Sequence, residues 1–409
     1  MVAGQFRRRG GAENQRAAAL ELFYDLVFVF SITQVSHLLL EQLTLAGAGR
    51  AVIVLLAVWW SWNYTTWATN ELNPETNPVR LLLIALMLGS LLMAIALPQA
   101  FGDRGLLFAA AYVAIQVGRH TFLAAATKRR SVQREQAARI LAWFLLAGVF
   151  WIAGGMAQGG ARVWLWLLAL ALDYLAPLIL FPLPGRPRLA AGSWRLATGH
   201  FAERFGLFVI AALGETIILT GATTARQNLD TGTVAAFVTA FAGTAALWWL
   251  YFTSTRPISE RSLLREASRT GRARDIYTYG HVLIVAGIIL TAVGDELVIA
   301  HPLDPLETAE LTTVIAGPVV FLLAQLALQL RATRRLEYSR VAAVCGCAVL
   351  GLLGRGLPAL LVGALLTAVL IAVALRDQTR PARPAPWGRS RDGDRIRKPR
   401  PPRSFRRLR

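Results

Sequence analysis

Charge is scarce in this 409-residue chain. Asp, Glu, Lys and Arg together make up 16% of it, against about 25% in a soluble domain. Cysteine is almost absent. The two present, Cys345 and Cys347, stand one residue apart in AAVCGCAVLGLL. A disulfide across one residue is strained, and C-x-C without further thiols is a poor metal site. Small-residue packing between helices is the role that suits them. No G-x-x-x-x-G-K-[ST], no G-x-G-x-x-G after a strand, no HExxH and no Ser–His–Asp arrangement occurs. ATP-driven transport and zinc proteolysis are therefore disfavoured, and no catalytic residue, metal or cofactor is assigned. A cleavable leader is not expected either, because the basic start QFRRRGG is not followed by an apolar stretch with a small-residue cleavage site.

What the chain does have is apolar length. It is 55% hydrophobic, with runs such as LLLIALMLGSLLMAIAL. A β-barrel would show short alternating segments instead, so the expected class is all-α, a polytopic helical membrane protein. Twelve segments are read, at about 20–43, 50–69, 79–98, 105–126, 137–156, 162–182, 202–224, 232–253, 276–299, 309–330, 339–355 and 357–376. Alternate connections hold most of the arginine. The poor set carries only Arg50, Arg104, Arg162, Arg226 and Arg355. The positive-inside rule then places both termini in the cytoplasm.

The formal charge of +19 does not point to nucleic acid, because much of it sits in the tail. From Arg376 to Arg409 there are 13 Lys or Arg against 3 Asp, in a Pro-rich context. Such a tail is expected to be disordered and to lie against anionic lipid headgroups. The chain divides into a basic arm (1–19), a six-helix half (20–182), a linker rich in Pro, Gly and Arg (183–199), a second six-helix half (200–376) and the tail (377–409). The halves share two features. Glu21-Leu22-Phe23 matches Glu203-Arg204-Phe205, and Trp59-Trp60 matches Trp248-Trp249. A parallel repeat would account for both.

Polar groups inside the apolar segments mark the candidate site, since an ionisable group deep in a bilayer needs protein or water around it. In the first segment Glu21 and Asp25 share one face with Ile32 and Ser36, while Gln34, His37 and Glu41 form a second stripe. By depth, Arg119 beside His120 is the expected ion-pair partner of Asp25. Asp173 is expected near the middle of the sixth helix, where Pro177 would free a backbone carbonyl. Arg204 and Glu215 share a face of the seventh helix, and Asp295 and Glu296 end the ninth. Glu21 and Glu203 equally suit helix N-termini, where a carboxylate favours the dipole. His37 and His120 suit ordinary helix contacts, and the tryptophans an interface belt or a lumen lining.

Three stretches, ELFYDLVFVFSITQVSHLL, ALDYLAP and HFAERFGLFVIAALGETII, resemble the bacterial low temperature requirement protein A family. The likeness covers about 20–376. It includes Glu21, Phe23, Asp25, Thr33, Gln34, His37, Asp173, Pro177, Glu203, Arg204, Phe205, Gly206, Gly214 and Glu215. Tyr24 and Thr216 depart in a minor way from the family's usual Phe and Ser. The resemblance implies a multi-pass protein of the bacterial inner membrane, named for a cold-growth phenotype, but no substrate. The expected function is a proton- or ion-coupled secondary transporter. Asp25, Arg119, Asp173 and Glu215 would line its path, with Glu203 and Arg204 in the same network. A small molecule or ion would be the substrate. A lipid-handling membrane enzyme and a non-transporting scaffold or sensor linked to cold adaptation are the alternatives.

Overall fold

A computed structural model describes residue 6 and residues 17–128, 131–186, 197–264 and 269–379. Most of the basic arm, linker and tail lies outside them. Every described element is helical, and the protein is a polytopic helical membrane protein. In chain order the helices are α1 (Ala19–Glu41), α2 (Leu45–Glu71), α3 (Asn77–Ala96), α4 (Gly105–Ala126), α5 (Val132–Met156), α6 (Gly159–Leu175), α7 (Thr198–Arg226), α8 (Thr231–Leu250), α9 (Arg256–Leu264), α10 (Arg269–Ala273), α11 (His281–Ala300), α12 (Thr308–Thr333), α13 (Tyr338–Leu353) and α14 (Ala359–Thr379). Ten of the helical stretches are long and apolar enough to cross a membrane. The other two expected spans, α6 and α13, are helical but shorter.

Local chemistry sets the helix starts. The side chains of Thr44, Ser131 and Asp230 accept the backbone N–H groups of Gly47, Arg134 and Thr233, satisfying donors that the first helical turn leaves free. Pro78 stands in the first turn of α3, where its missing N–H costs nothing. Two π-helical turns were not foreseen. Tyr251–Thr255 joins α8 to α9, and Arg274–Gly280 joins α10 to α11. Such turns recur at functional sites.

The sixth helix departs from expectation. It ends at Leu175, so Pro177 lies beyond the helix in a turn and interrupts nothing. Asp173 consequently sits in the last turn of α6 rather than at its middle. Leu180 and Phe181 follow with φ of 61° and 50°, a left-handed backbone that costs non-glycine residues on the order of 1–3 kcal/mol.

α1 packs on α2, α3, α7 and α11, and so joins the two sets of helices. Within each set the first helix touches the third, the third the fourth, the fourth the fifth and the fifth the sixth. The tryptophan pairs do not share an environment. Trp59, Trp60 and Trp62 are fully buried, whereas Trp248 and Trp249 are exposed. Leu81, Ile84, Leu88, Val149, Ile217 and Phe241 form part of an exposed apolar belt, as a lipid-facing surface requires.

The tightest seam lies between α11 and α12. Gly280, Gly287 and Gly294, seven residues apart, face Leu328, Phe321 and Val314, also seven apart, in antiparallel register. A Cβ added to Gly287 would lie 2.6 Å from the Phe321 amide nitrogen. Only glycine permits that approach, the small-residue packing typical of membrane helices. Of the two cysteines, Cys347 is buried and Cys345 exposed.

Candidate functional site

The buried polar groups fall into three clusters. The first joins α1 to α7. Arg204 donates to Asp25 Oδ1 at 2.6 Å and lies 3.1 Å from Glu21 Oε1, with all three side chains nearly or fully buried. Trp62 Nε1 donates to the same Asp25 oxygen at 2.7 Å. Glu21 Oε2 accepts the Ala18 backbone N–H at 2.8 Å, the N-terminal role expected of it, and meets His200 Nε2 at 3.0 Å. The Asn70 amide oxygen accepts the Ala197 N–H, which turns its NH₂ toward His200 Nδ1, 3.2 Å away. His200 thus accepts at Nδ1 and donates from Nε2 to Glu21. Glu203, one residue before Arg204, is half-buried and has no ion pair among the described residues.

The expected Asp25–Arg119 pair does not form. Arg204 takes Asp25 instead, because α7 rather than α4 packs against that face of α1. Arg119 is fully buried and forms no ion pair among the described residues, although Asp173 lies within its electrostatic reach. Its guanidinium donates to the Ser61 carbonyl (3.3 Å), Thr65 Oγ1 (3.0 Å) and the Gln116 side-chain oxygen. It also lies 5.5 Å from the Tyr64 ring centre and 5.9 Å from that of Phe144, within cation–π range. Asp173 is held by Tyr112 (2.7 Å) and Trp151 (3.1 Å), which both donate to its Oδ2. Those donors offset a carboxylate placed at the unfavourable C-terminal end of a helix.

The second cluster lies toward the opposite end of the bundle. Thr33 donates to Glu215 Oε2 at 2.6 Å, and Glu215 Oε1 is buried without a partner. Arg204 and Glu215 therefore both face α1, as their spacing implied. His37 and Glu296 stand within electrostatic reach of Glu215. His37 and Glu41 are exposed, and Gln34 and Asp295 are half-buried. Asp295 and Glu296 each carry one buried oxygen without a hydrogen-bond partner. No group of three or more metal-binding side chains is found among the described residues.

The third cluster surrounds a cavity of about 260 Å³. It opens at the arginine-rich end, between Glu71 of α2, Thr127 of α4, Gln133 of α5, the Pro177–Phe181 turn and Arg274. It reaches Trp60, eleven residues or about 16 Å along α2 from Glu71. Its deep wall is Trp60, Asn63, Tyr64, His120 and Thr278. Trp60 stacks on Tyr174 with ring centres 3.8 Å apart, and the Tyr279 hydroxyl donates to the Tyr174 carbonyl. Both strained residues, Leu180 and Phe181, line the mouth.

A hydrogen-bond chain orients Asn63. Trp67 Nε1 donates to Thr278 Oγ1 at 3.0 Å, and Thr278 Oγ1 donates to Asn63 Oδ1 at 3.1 Å. The Asn63 NH₂ then points away from Thr278, and Nδ2 has no acceptor. The Trp60 indole N–H has none either. His120 directs Nδ1 at the Gln116 carbonyl, 3.0 Å away, and its ring lines the cavity. Neither Asp173 nor Glu215 lines this space.

Of the cavity wall, His120 and Pro177 were singled out from the sequence, and the tryptophans were read as suiting an interface belt or a lumen lining. The missed signal was WWSWNYTTW, whose neutral polar residues Ser61, Asn63, Thr65 and Thr66 are all buried. A search for ionisable groups passes over such a stretch.

The three regions that hold these groups, α1, the end of α6 and α7, are those whose residues resemble a known family. Residues 16–375 match the model of the Bacterial low temperature requirement A protein. The chain belongs to this family. A relative of the same length class, an uncharacterised protein of Rhizobium meliloti (strain 1021), is 38% identical over 336 residues, covering 82% of each chain. No solved structure matches. Family membership accounts for the multi-pass architecture and for the segment from Glu21 to His37, and leaves the cavity to be read from its own chemistry.

Proposed function

We propose that this low temperature requirement A protein is a secondary transporter whose substrate enters the cavity between α2, α4, α5 and the α10–α11 junction. The observation that carries the reading is a cavity reaching about 16 Å into the bundle from one end only. Beyond it, Tyr112, Phe108, Trp151 and Trp166 pack into a closed layer. A vestibule on one side and a sealed layer on the other is what alternating access requires. The arginine-rich end faces the cytoplasm of the bacterial inner membrane under the positive-inside rule, with both termini there and the basic tail against anionic headgroups. The matching neighbour order of the two helix sets supports a parallel repeat between them.

Coupling to a proton or cation is assigned to Glu215, whose Oε1 is buried and free while Thr33 positions Oε2. The test is flux in proteoliposomes under an imposed proton gradient, read with an internal pH dye while a panel of organic solutes is added. Solute-dependent proton movement is expected. Glu215→Gln, which keeps the Thr33 bond, should abolish it without lowering the Tm. The absence of any flux in wild-type protein under either gradient direction overturns the reading.

A further inference from the structure

The cavity is bounded by α2, α4, α5, the α10–α11 junction and the Pro177–Phe181 turn, and α6 itself contributes no residue to it. The reason is length. α6 has 17 residues, about 25 Å, which falls about one turn short of a hydrocarbon core of about 30 Å. At the arginine-rich end, irregular chain therefore stands where a last helical turn would close the wall. Leu175, Leu178 and Ile179 are apolar and exposed there, and Leu178 also lines the cavity. The lipid-facing surface and the cavity thus share a lip. Two bonds fix that lip in place. Arg274 donates to the Pro177 carbonyl at 2.7 Å, and Trp143 donates to the Pro182 carbonyl at 3.1 Å. Inside the lip the wall is mainly apolar, with Trp67, Ala68, Leu123, Ala137 and Ile140. Asn63 and His120, deeper in, are almost fully buried and show little polar surface to the space. The polar groups that face it gather at the rim, where Glu71, Gln133 and Arg274 supply an acid, an amide and a base.

We infer that the cavity receives the tail of a single-chain amphiphile, a fatty acid or a lysolipid from the leaflet at the arginine-rich end. The molecule enters past the Leu178 lip and leaves its polar head at the Glu71, Gln133 and Arg274 rim. This rests on the transport reading only for the claim that the bound molecule is cargo. Shape carries the choice of ligand. A volume of about 260 Å³ spread over a depth of about 16 Å is long and narrow. Such a space fits one chain and excludes a two-tailed lipid. The affinity comes from burying methylenes against the apolar wall. The rim holds charge of both signs, so it sets no single requirement for the head group.

The experiment is calorimetric titration of the full-length protein, held in an amphipathic polymer in place of detergent, with unbranched alkanoates from hexanoate to hexadecanoate. Affinity should rise about fourfold per methylene and level off at about ten to twelve carbons, where an extended chain spans the depth. Simple partition into the polymer rises without levelling. Ala68→Phe and Ala137→Phe, on different helices, each place a ring in the cavity about one turn inside the rim. Each should flatten the series and weaken dodecanoate at least about tenfold, with Tm recorded to show that the fold is kept. Dodecanoate and a dodecanoyl lysophosphatidylethanolamine then separate the two sources, the tighter binder naming the class. A wild-type series that climbs without levelling through hexadecanoate, or that shows no binding, overturns the inference whatever the variants do. So do folded variants that titrate like wild type. If the series levels as expected but liposomes show no flux, the transport reading fails and this one stands. Flux of solutes by a protein whose series does not level gives the reverse.

Discussion

Arg204 and Arg119 are both fully buried arginines in one helical bundle, and they are treated in opposite ways. Arg204 is enclosed by two carboxylates, Glu21 and Asp25, with Trp62 and His200 completing the set. Arg119 forms no ion pair among the described residues, has Asp173 only within electrostatic reach, and is held by a carbonyl, a hydroxyl, an amide oxygen and two aromatic faces. The first arrangement ties α1 to α7 and is a fixed joint. The second leaves a positive charge close to Tyr64, a residue that lines the cavity. A bundle that needed only rigidity would have had reason to pair both arginines.

The comparison breaks most sharply at Arg204. Arg204→Met leaves two buried carboxylates without their cation, and a destabilisation of about 3–5 kcal/mol is expected, read as a large fall in Tm or loss of folded protein in detergent. A smaller change elsewhere, with no charge involved, calibrates it. Gly287→Val drives a side chain into the Phe321 backbone and should cost about 1–3 kcal/mol by the same thermal measurement. Arg119→Met should cost less than Arg204→Met, about 1–2 kcal/mol, because it orphans neutral acceptors rather than carboxylates. Equal falls in Tm for the two arginine variants would erase the distinction between the clusters.

The smallest effect is at the exposed start of α8. The Thr233 and Gly232 backbone N–H groups and the Thr233 hydroxyl hold the Asp230 carboxyl below its usual range. A depressed folded value means that the charge stabilises the protein above the unfolded value of about 4, and that the gain is lost as pH falls through the lower folded value. Asp230→Ala should therefore lower the Tm slightly at pH 7, and the gap to wild type should narrow below pH 4. A gap that widens in acid would contradict the assignment.

Much of this was legible beforehand. Long apolar runs announced the helices, and the residues around Glu21 and Glu215 announced the family. The i, i+11 spacing of Arg204 and Glu215 correctly put them on one face. Depth alone could not choose a partner for Asp25. Arg119 and Arg204 lie at similar levels, and a helix pattern carries no statement about which neighbour it meets. The end of α6 was misjudged for a related reason. FPLPGRP continues the apolar run by composition, and only the turn at Ala176–Phe181 shows where the helix stops. The Trp248-Trp249 pair warned equally of the limits of matching, since its tryptophans are exposed where those of α2 are buried.

By itself the sequence determined the class of fold, most of the spans approximately and the set of charged groups that must find company, because burial in a bilayer penalises any exception. Tertiary structure decided the pairing. It gave Asp25 to Arg204, left Arg119 without an ion pair among the described residues, and fixed the Asn63 amide through a hydroxyl 215 residues away in the chain. Pairing depends on which helices touch and at what height. Those contacts are set by small-residue seams and by π-helical turns, whose consequences appear only when the whole bundle closes.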